Sequence, residues 1–116
     1  MKDKTEAKIQ QEIFMFAVNN YCLKHHNPKC IFYSIPNDSS SKEETMRKLA
    51  TGMKSGASDF VFVMPNKAMY FEVKTETGTQ SENQKEFEKD IKALGFEYHL
   101  VRSLDDFKTI IRSVNG

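Results

Sequence analysis

Phe60-Val61-Phe62-Val63-Met64-Pro65-Asn66-Lys67-Ala68-Met69-Tyr70-Phe71-Glu72-Val73-Lys74 is a stretch in which aromatic and β-branched residues crowd both sides of a turn signal. It reads as two antiparallel strands, Phe60 to Met64 and Ala68 to Lys74, joined tightly through Pro65-Asn66-Lys67. The first strand is apolar throughout, as expected of a central strand buried on both faces. In the second, side chains two apart share a face, so Glu72 and Lys74 project together while Phe71 and Val73 project oppositely. If the hairpin turns near Asn66, Asp59 lies across from the Glu72 to Lys74 end. It joins their face only if it pairs with residue 72 or 74, which requires an even-length loop or a bulge.

Upstream, Ile9, Ile13, Phe16, Ala17 and Tyr21 recur at helical spacing between Lys4 and Lys24, and His25-His26-Asn27-Pro28 supplies the stop. Cys30 to Ile35 is a short strand, ended by Pro36-Asn37-Asp38 and three serines. Ser41 with Glu44 suggests a capping box for a short helix that ends at Gly52, with Met46, Leu49, Ala50 and Met53 on one face. Downstream, Ser81 caps a helix that carries Phe87, Ile91 and Leu94 inward and stops at Gly95. Tyr98 to Arg102 is the last strand. Ser103 with Asp106 opens a final helix whose buried stripe is Leu104, Phe107, Ile110, Ile111 and Val114.

The order is helix, strand, helix, strand, strand, helix, strand, helix. With no repeat or low-complexity tract to divide it, the chain reads as one α/β domain over residues 1–116, a mixed four-stranded sheet flanked by helices. A length of 116 residues suffices for one sizeable core.

The longest apolar run, Phe60 to Pro65, is far short of the about 20 residues of a membrane span, and Met1 to Glu6 is charged with no apolar signal core behind it. These features predict a cytoplasmic protein without membrane contact. There, Cys22 and Cys30 stay reduced by default. With His25 and His26 they resemble a loose zinc cluster, although zinc sites use tighter paired spacings, and a buried Cys at each end of a connection with solvated histidines between is the simpler reading. A net charge of +1 gives no global attraction to nucleic acid, so any such binding uses a local patch.

Two carboxylates converging on one point repel each other unless a hard cation neutralises them, and magnesium or manganese favours such oxygen ligands. Asp59 and Glu72 are the candidate ligands, and the Val73 backbone carbonyl completes the shell. Such an ion polarises a phosphoryl oxygen and acidifies a water, while Lys74 positions that water or stabilises developing charge. The chemistry is phosphodiester hydrolysis. Glu12 on the first helix and Gln84 after Thr75 are candidates to line the same cleft. Taken alone, an Asp followed by Glu-x-Lys is equally a solvated strand face. The apolar strand beside it tips the balance, because a carboxylate there is costly unless paired or metal-bound.

Gly52-x-x-x-Gly56-Ala57-Ser58-Asp59, Tyr70-Phe71-Glu72-Val73-Lys74 and Gly78-Thr79-Gln80-Ser81 with Gln84 together resemble the VRR-NUC branch of the PD-(D/E)xK nucleases. Gly95-Phe96-Glu97-Tyr98 and Val101-Arg102-Ser103 are similar to that family's closing strand and helix, and the likeness runs from Ile35-Pro36-Asn37 to Phe107. The resemblance implies a restriction-endonuclease-like core. It also implies metal-binding roles for Asp59 and Glu72, a catalytic Lys74, and supporting roles for Glu12 and Gln84. Ser58 departs from the proline frequent at that position, which removes no ligand. Small stand-alone members, phage or bacterial, imply an enzyme for branched DNA such as four-way (Holliday) junctions, acting as a homodimer.

Lys42, Arg47, Lys48 and Lys54 precede the site and suit phosphate contacts, although Glu43 and Glu44 dilute the patch and a solvated helix face is the bland alternative. Pro36-Asn37-Asp38-Ser39 is a turn sequence for Asp38, with Asn37 left open to reach the cleft. Met46, Met53, Met64 and Met69 are expected in core or dimer packing, and His99 is expected to face outward. Two rival functions stand beside the nuclease. One is a non-catalytic DNA-binding module, which needs neither carboxylates nor Lys74. The other is a sequence-specific restriction-type endonuclease, for which 116 residues leave little room.

Overall fold

A computed structural model describes residues 4–37 and 39–115. The chain runs α1 (Glu6–Tyr21), β1 (Ile31–Ser34), α2 (Lys42–Ala50), β2 (Phe60–Met64), β3 (Lys67–Val73), α3 (Glu82–Ala93), β4 (Glu97–Val101) and α4 (Leu104–Asn115). The strands lie in sequence order in one four-stranded sheet. β1 to β3 pair antiparallel and β4 joins β3 parallel, which is the mixed α/β sheet expected. Among the described residues, no helix is long and apolar enough to cross a membrane. Asp38, read as part of a turn, and the first three residues of the charged N-terminus lie outside the described residues.

One sheet face carries Phe32, Phe60, Phe62, Met69, Phe71, Val73 and Val101, all buried against Ile9, Ile13 and Ala17 of α1 and Phe107 and Ile111 of α4. Phe107 is the hub, its ring lying 4.8 Å from Phe71 and 5.7 Å from Phe32. α3 covers the opposite face of β3 and β4, setting Phe87 edge-on to Tyr70 and Tyr98. Its cap is a full box: Ser81 Oγ accepts from the Gln84 N–H, and the Gln84 side chain accepts from the Ser81 N–H.

The hairpin differs from its sequence reading in one decisive residue. β3 starts at Lys67, which pairs with Met64, so Pro65-Asn66 is a two-residue loop with Asn66 at φ 58°. The even length settles the parity. Phe60 pairs with Phe71, so the next pair outward is Asp59 with Glu72. A three-residue loop would have set Asp59 opposite Val73, on the wrong face.

Other expectations shift as well. Ser41 caps α2, but the Glu44 carboxylate turns to Ser40 and Lys48, so the reciprocal half of that box is missing. No α2 residue is buried, and Met46 and Leu49 are exposed. Among the described residues the helix, which lies between β1 and β2 in the chain, packs on no other helix or strand, and its apolar spacing stays uncovered by them. Leu94 is also exposed, because α3 has already given way to its C-cap there. His99 stacks on Phe71, on the core face, and contacts Glu97 instead of pointing outward. Of Met46, Met53, Met64 and Met69, Met69 is in the core and Met64 packs against it at partial burial.

The segment before Asp59 is held by a close approach. Gly56 (φ 80°) lies against α3 so tightly that a Cβ would come within 2.4 Å of the Asn83 carbonyl, and the Asn83 amide donates to Ser55 Oγ at 2.8 Å. Both the left-handed backbone and the lack of space require glycine. Gly56→Ala should therefore destabilise the fold by about 2 kcal/mol or more, read from urea unfolding. An unchanged midpoint would mean that this loop is not anchored on α3.

Candidate active site

Asp59 stands one residue before β2, and its Oδ2 accepts the Val73 N–H at 2.7 Å. The N–H and C=O of a strand residue point to the same side, so the Val73 carbonyl also faces the gap beyond the end of β2. Glu72 projects from β3 toward α3 and is wholly buried. Its Oε2 accepts from Gln84 Nε2 at 3.0 Å, and its Oε1 accepts from the Tyr98 hydroxyl at 2.9 Å. Lys74, two residues on, brings Nζ to 4.0 Å from Glu72 Oε2, while its backbone N–H donates to the Val101 carbonyl. The fold thus brings together Asp59, Glu72, Lys74 and Gln84.

The electrostatics follow from this crowding. Burial, with the Asp59 carboxylate alongside, pushes the Glu72 pKa up to about 8. Asp59 is also raised by burial, against the lowering effects of the Val73 N–H and Lys74. Burial and the neighbouring Glu72 raise the Tyr98 phenol, which stays a donor. Such a pair either holds a proton or takes a cation in its place. Glu72 accepts from Gln84 on one oxygen and from Tyr98 on the other, and the oxygen set of Asp59, Glu72 and the Val73 carbonyl fits a hard divalent ion.

Glu12 is not brought to this cluster. It pairs with Lys4 at 2.7 Å and lines a cleft of about 200 Å³ with Glu76 and Arg102. The reason is helical phase: Glu12 flanks one side of the buried Ile9 and Ile13 stripe, whereas Glu6 and Gln10 flank the other. Gln10 lies close enough to Asp59 to lower its pKa. Glu6, its pKa raised by burial and by Asp59, lies in electrostatic range of Asp59 and Lys74. The signal for these residues was available as Glu6-x-x-Ile9-Gln10, a carboxylate and an amide one turn apart.

Arg102 was also missed as a functional group. Its Nη1 donates to the carbonyls of Thr75 (2.6 Å), Glu76 (3.2 Å) and Gly78 (2.7 Å), clamping the loop that leaves Lys74.

The basic residues of α2 are less exclusive than expected. Lys48 pairs with Glu44, whose pKa falls to about 2 through Lys48 and Ser40. Arg47 lies beside Glu43 and Glu44. Lys54 is exposed in the loop that docks on α3. Among the described residues, no group of three or more His, Cys, Asp or Glu side chains is gathered to hold a metal, those of Cys22, His25, His26 and Cys30 included. His26 Nδ1 instead accepts from the Leu23 N–H at 2.8 Å, and both cysteines are free.

No protein-family model and no curated protein matches the sequence. A solved structure described as a VRR_NUC domain protein matches with a TM-score of 0.76, covering 97% of this chain and 89% of that one at 15% identity. The chain has the VRR_NUC domain fold. At that identity the likeness is one of architecture, which does not by itself specify chemistry.

The raised carboxyls carry a stability consequence. Glu72 titrates at its ordinary value of 4.5 when unfolded and at about 8 when folded, so between those values the native state holds a proton the unfolded chain has lost. Stability in chelator should be fullest below the lower value and should fall as pH rises through the higher one. Urea midpoints across that window should decline for wild type and flatten for Glu72→Gln. A midpoint that climbs with pH in wild type would contradict the raised pair.

Proposed function

We propose that the chain is a magnesium- or manganese-dependent endodeoxyribonuclease that hydrolyses phosphodiester bonds in branched DNA, such as four-way junctions, as a homodimer. The observation that carries the reading is the convergence of Asp59, buried Glu72 and Lys74 at one end of β2 and β3. A non-catalytic binding surface would have no use for a wholly buried carboxylate, which is costly to desolvate. The fold is that of a VRR_NUC domain protein, which supports the class of chemistry without specifying the substrate.

A divalent ion held by Asp59, Glu72 and the Val73 carbonyl would supply Lewis-acid activation of the phosphoryl group and of a water. The chain's own residues do the rest. Lys74, whose Nζ stands 4.0 Å from Glu72, offers a donor to the attacking water or to the negative charge that develops on the phosphate. Gln84 and the Val73 N–H fix the two carboxylates, and Glu6 adds negative charge on the α1 side. Lys42, Arg47, Lys48 and Lys54 are the phosphate contacts we favour for the DNA. A two-fold dimer suits a junction of the same symmetry, which two related sites cut alike.

The test is cleavage of labelled four-way junction, flap, duplex and single-stranded DNA in magnesium, manganese or EDTA. Wild type should cut the junction only with metal. Lys74→Ala should lower the rate by about a thousandfold while binding persists, and Asp59→Asn should weaken metal binding seen by calorimetry. Binding in EDTA with no cutting of any substrate would point to the non-catalytic module instead.

The first-helix carboxylate gives a sharper comparison. Glu6→Gln should slow cleavage by about tenfold or more, whereas Glu12→Gln should stay within about twofold of wild type. The reverse ranking would restore Glu12 to the site.

A further inference from the structure

Tyr98 projects from β4 on the same sheet face as Glu72. In the parallel ladder Tyr98 pairs with Tyr70 and Leu100 pairs with Glu72, so the phenol lies diagonally across from the carboxylate. Its ring is buried and set against Phe87, with centroids 6.2 Å apart. Its hydroxyl donates to Glu72 Oε1 at 2.9 Å and accepts from Gln80 Nε2 at 3.3 Å. Gln80 Nε2 also reaches Glu88 Oε1 at 3.1 Å, and Glu88 pairs with Lys92 at 2.6 Å one turn along α3. Glu72 is therefore gripped at both oxygens, by Gln84 from one helix end and by Tyr98 from the neighbouring strand.

We propose that Tyr98, steadied by Gln80, is a positioning residue that sets the orientation of the Glu72 carboxylate toward a divalent cation. The proposal rests on the metal reading given above. With Gln84 alone, Glu72 has a donor on one oxygen and can swing about its terminal torsion, which is broad and roughly two-fold. The phenol removes that freedom. A donor fixed on a rigid strand holds the second oxygen while Gln84 holds the first, so the carboxylate keeps one orientation beside Asp59 before any ion arrives. Outer partners of this kind orient a ligand without touching the metal.

The experiment is Mn²⁺ binding to the full chain without DNA, by calorimetry and by the electron paramagnetic resonance signal of the bound ion. Tyr98→Phe keeps the ring and removes the hydroxyl, and its Kd should rise by about tenfold or more. Gln80→Ala frees the hydroxyl from its holder and should raise Kd by about threefold, the worth of one modest hydrogen bond. Phe87→Leu loosens the packing around the phenol and leaves its oxygen in place, so its Kd should stay within about twofold of wild type. Far-UV and near-UV circular dichroism show that each variant is folded. If Tyr98→Phe does not fold, Gln80→Ala decides the matter.

Wild-type Mn²⁺ binding with unchanged affinity in Tyr98→Phe, or in Gln80→Ala if that variant decides, overturns the positioning role and leaves the metal site standing. An equal loss in Phe87→Leu overturns it as well, since packing alone would then account for the effect. Wild type that binds no Mn²⁺ overturns the metal reading and this proposal together.

Discussion

Burying the Glu72 carboxylate beside Asp59 is the constraint on which the rest of the arrangement turns. An isolated carboxylate taken out of water is strongly disfavoured, and a second one alongside makes matters worse. The protein surrounds the pair with donors drawn from separate elements: the Val73 N–H from β3, Gln84 from α3 and Tyr98 from β4. Those elements have to be in register before any of these bonds can form. The aromatic core serves that end, because Phe107 ties α4 to Phe32, Phe62 and Phe71 on the sheet face that points away from Glu72. One face of the sheet holds the domain together, and the other carries Glu72, Lys74 and the phenol.

Residues with two jobs make the coupling tight. Gln84 closes the capping box of α3 through its Oε1 and donates to Glu72 through its Nε2. One amide therefore starts the helix and grips the carboxylate. Arg102 follows β4 and spends its guanidinium on three carbonyls of the loop after Lys74, while the Lys74 N–H returns a bond to Val101. The loop that would approach a substrate is thereby tied to the edge strand, so its conformation is set by the scaffold.

Much of this was legible in the sequence, and particular residues show why. The period-2 logic of Glu72 and Lys74 needs only strand geometry, and the apolar run at Phe60 identified the strand next to them. The element order, the four-stranded mixed sheet and the site of the Ser81 cap followed from spacing and turn residues. What failed was what depends on one residue of phase. Lys67 belongs to β3 and not to the turn, a distinction that turn composition does not make. Glu12 was read as the first-helix carboxylate, and only the azimuth set by Ile9 and Ile13 separates it from Glu6 on the same helix. Tyr98 was read as an ordinary strand residue, since a phenol says nothing in sequence about which carboxylate it meets across a parallel ladder. The apolar spacing of α2 predicted burial that has no partner element, because amphipathic spacing describes a helix and not its surroundings.

The α2 excursion has a consequence for how this architecture can diversify. Where it leaves and returns to the sheet, the Ile35 N–H bonds the Asp59 carbonyl at 2.9 Å, so its two ends are stapled together at the base. The described part of the excursion that precedes the Gly56 anchor, α2 included, packs on no other helix or strand, and lengthening such a closed loop adds only about 0.6 kcal/mol per doubling. Asp59 keeps its address as long as the Gly56 contact with α3 and the Ile35 bond are kept. New recognition elements can be spliced in there over evolutionary time, or by an engineer, while the carboxylate a few ångströms away stays in register with β3.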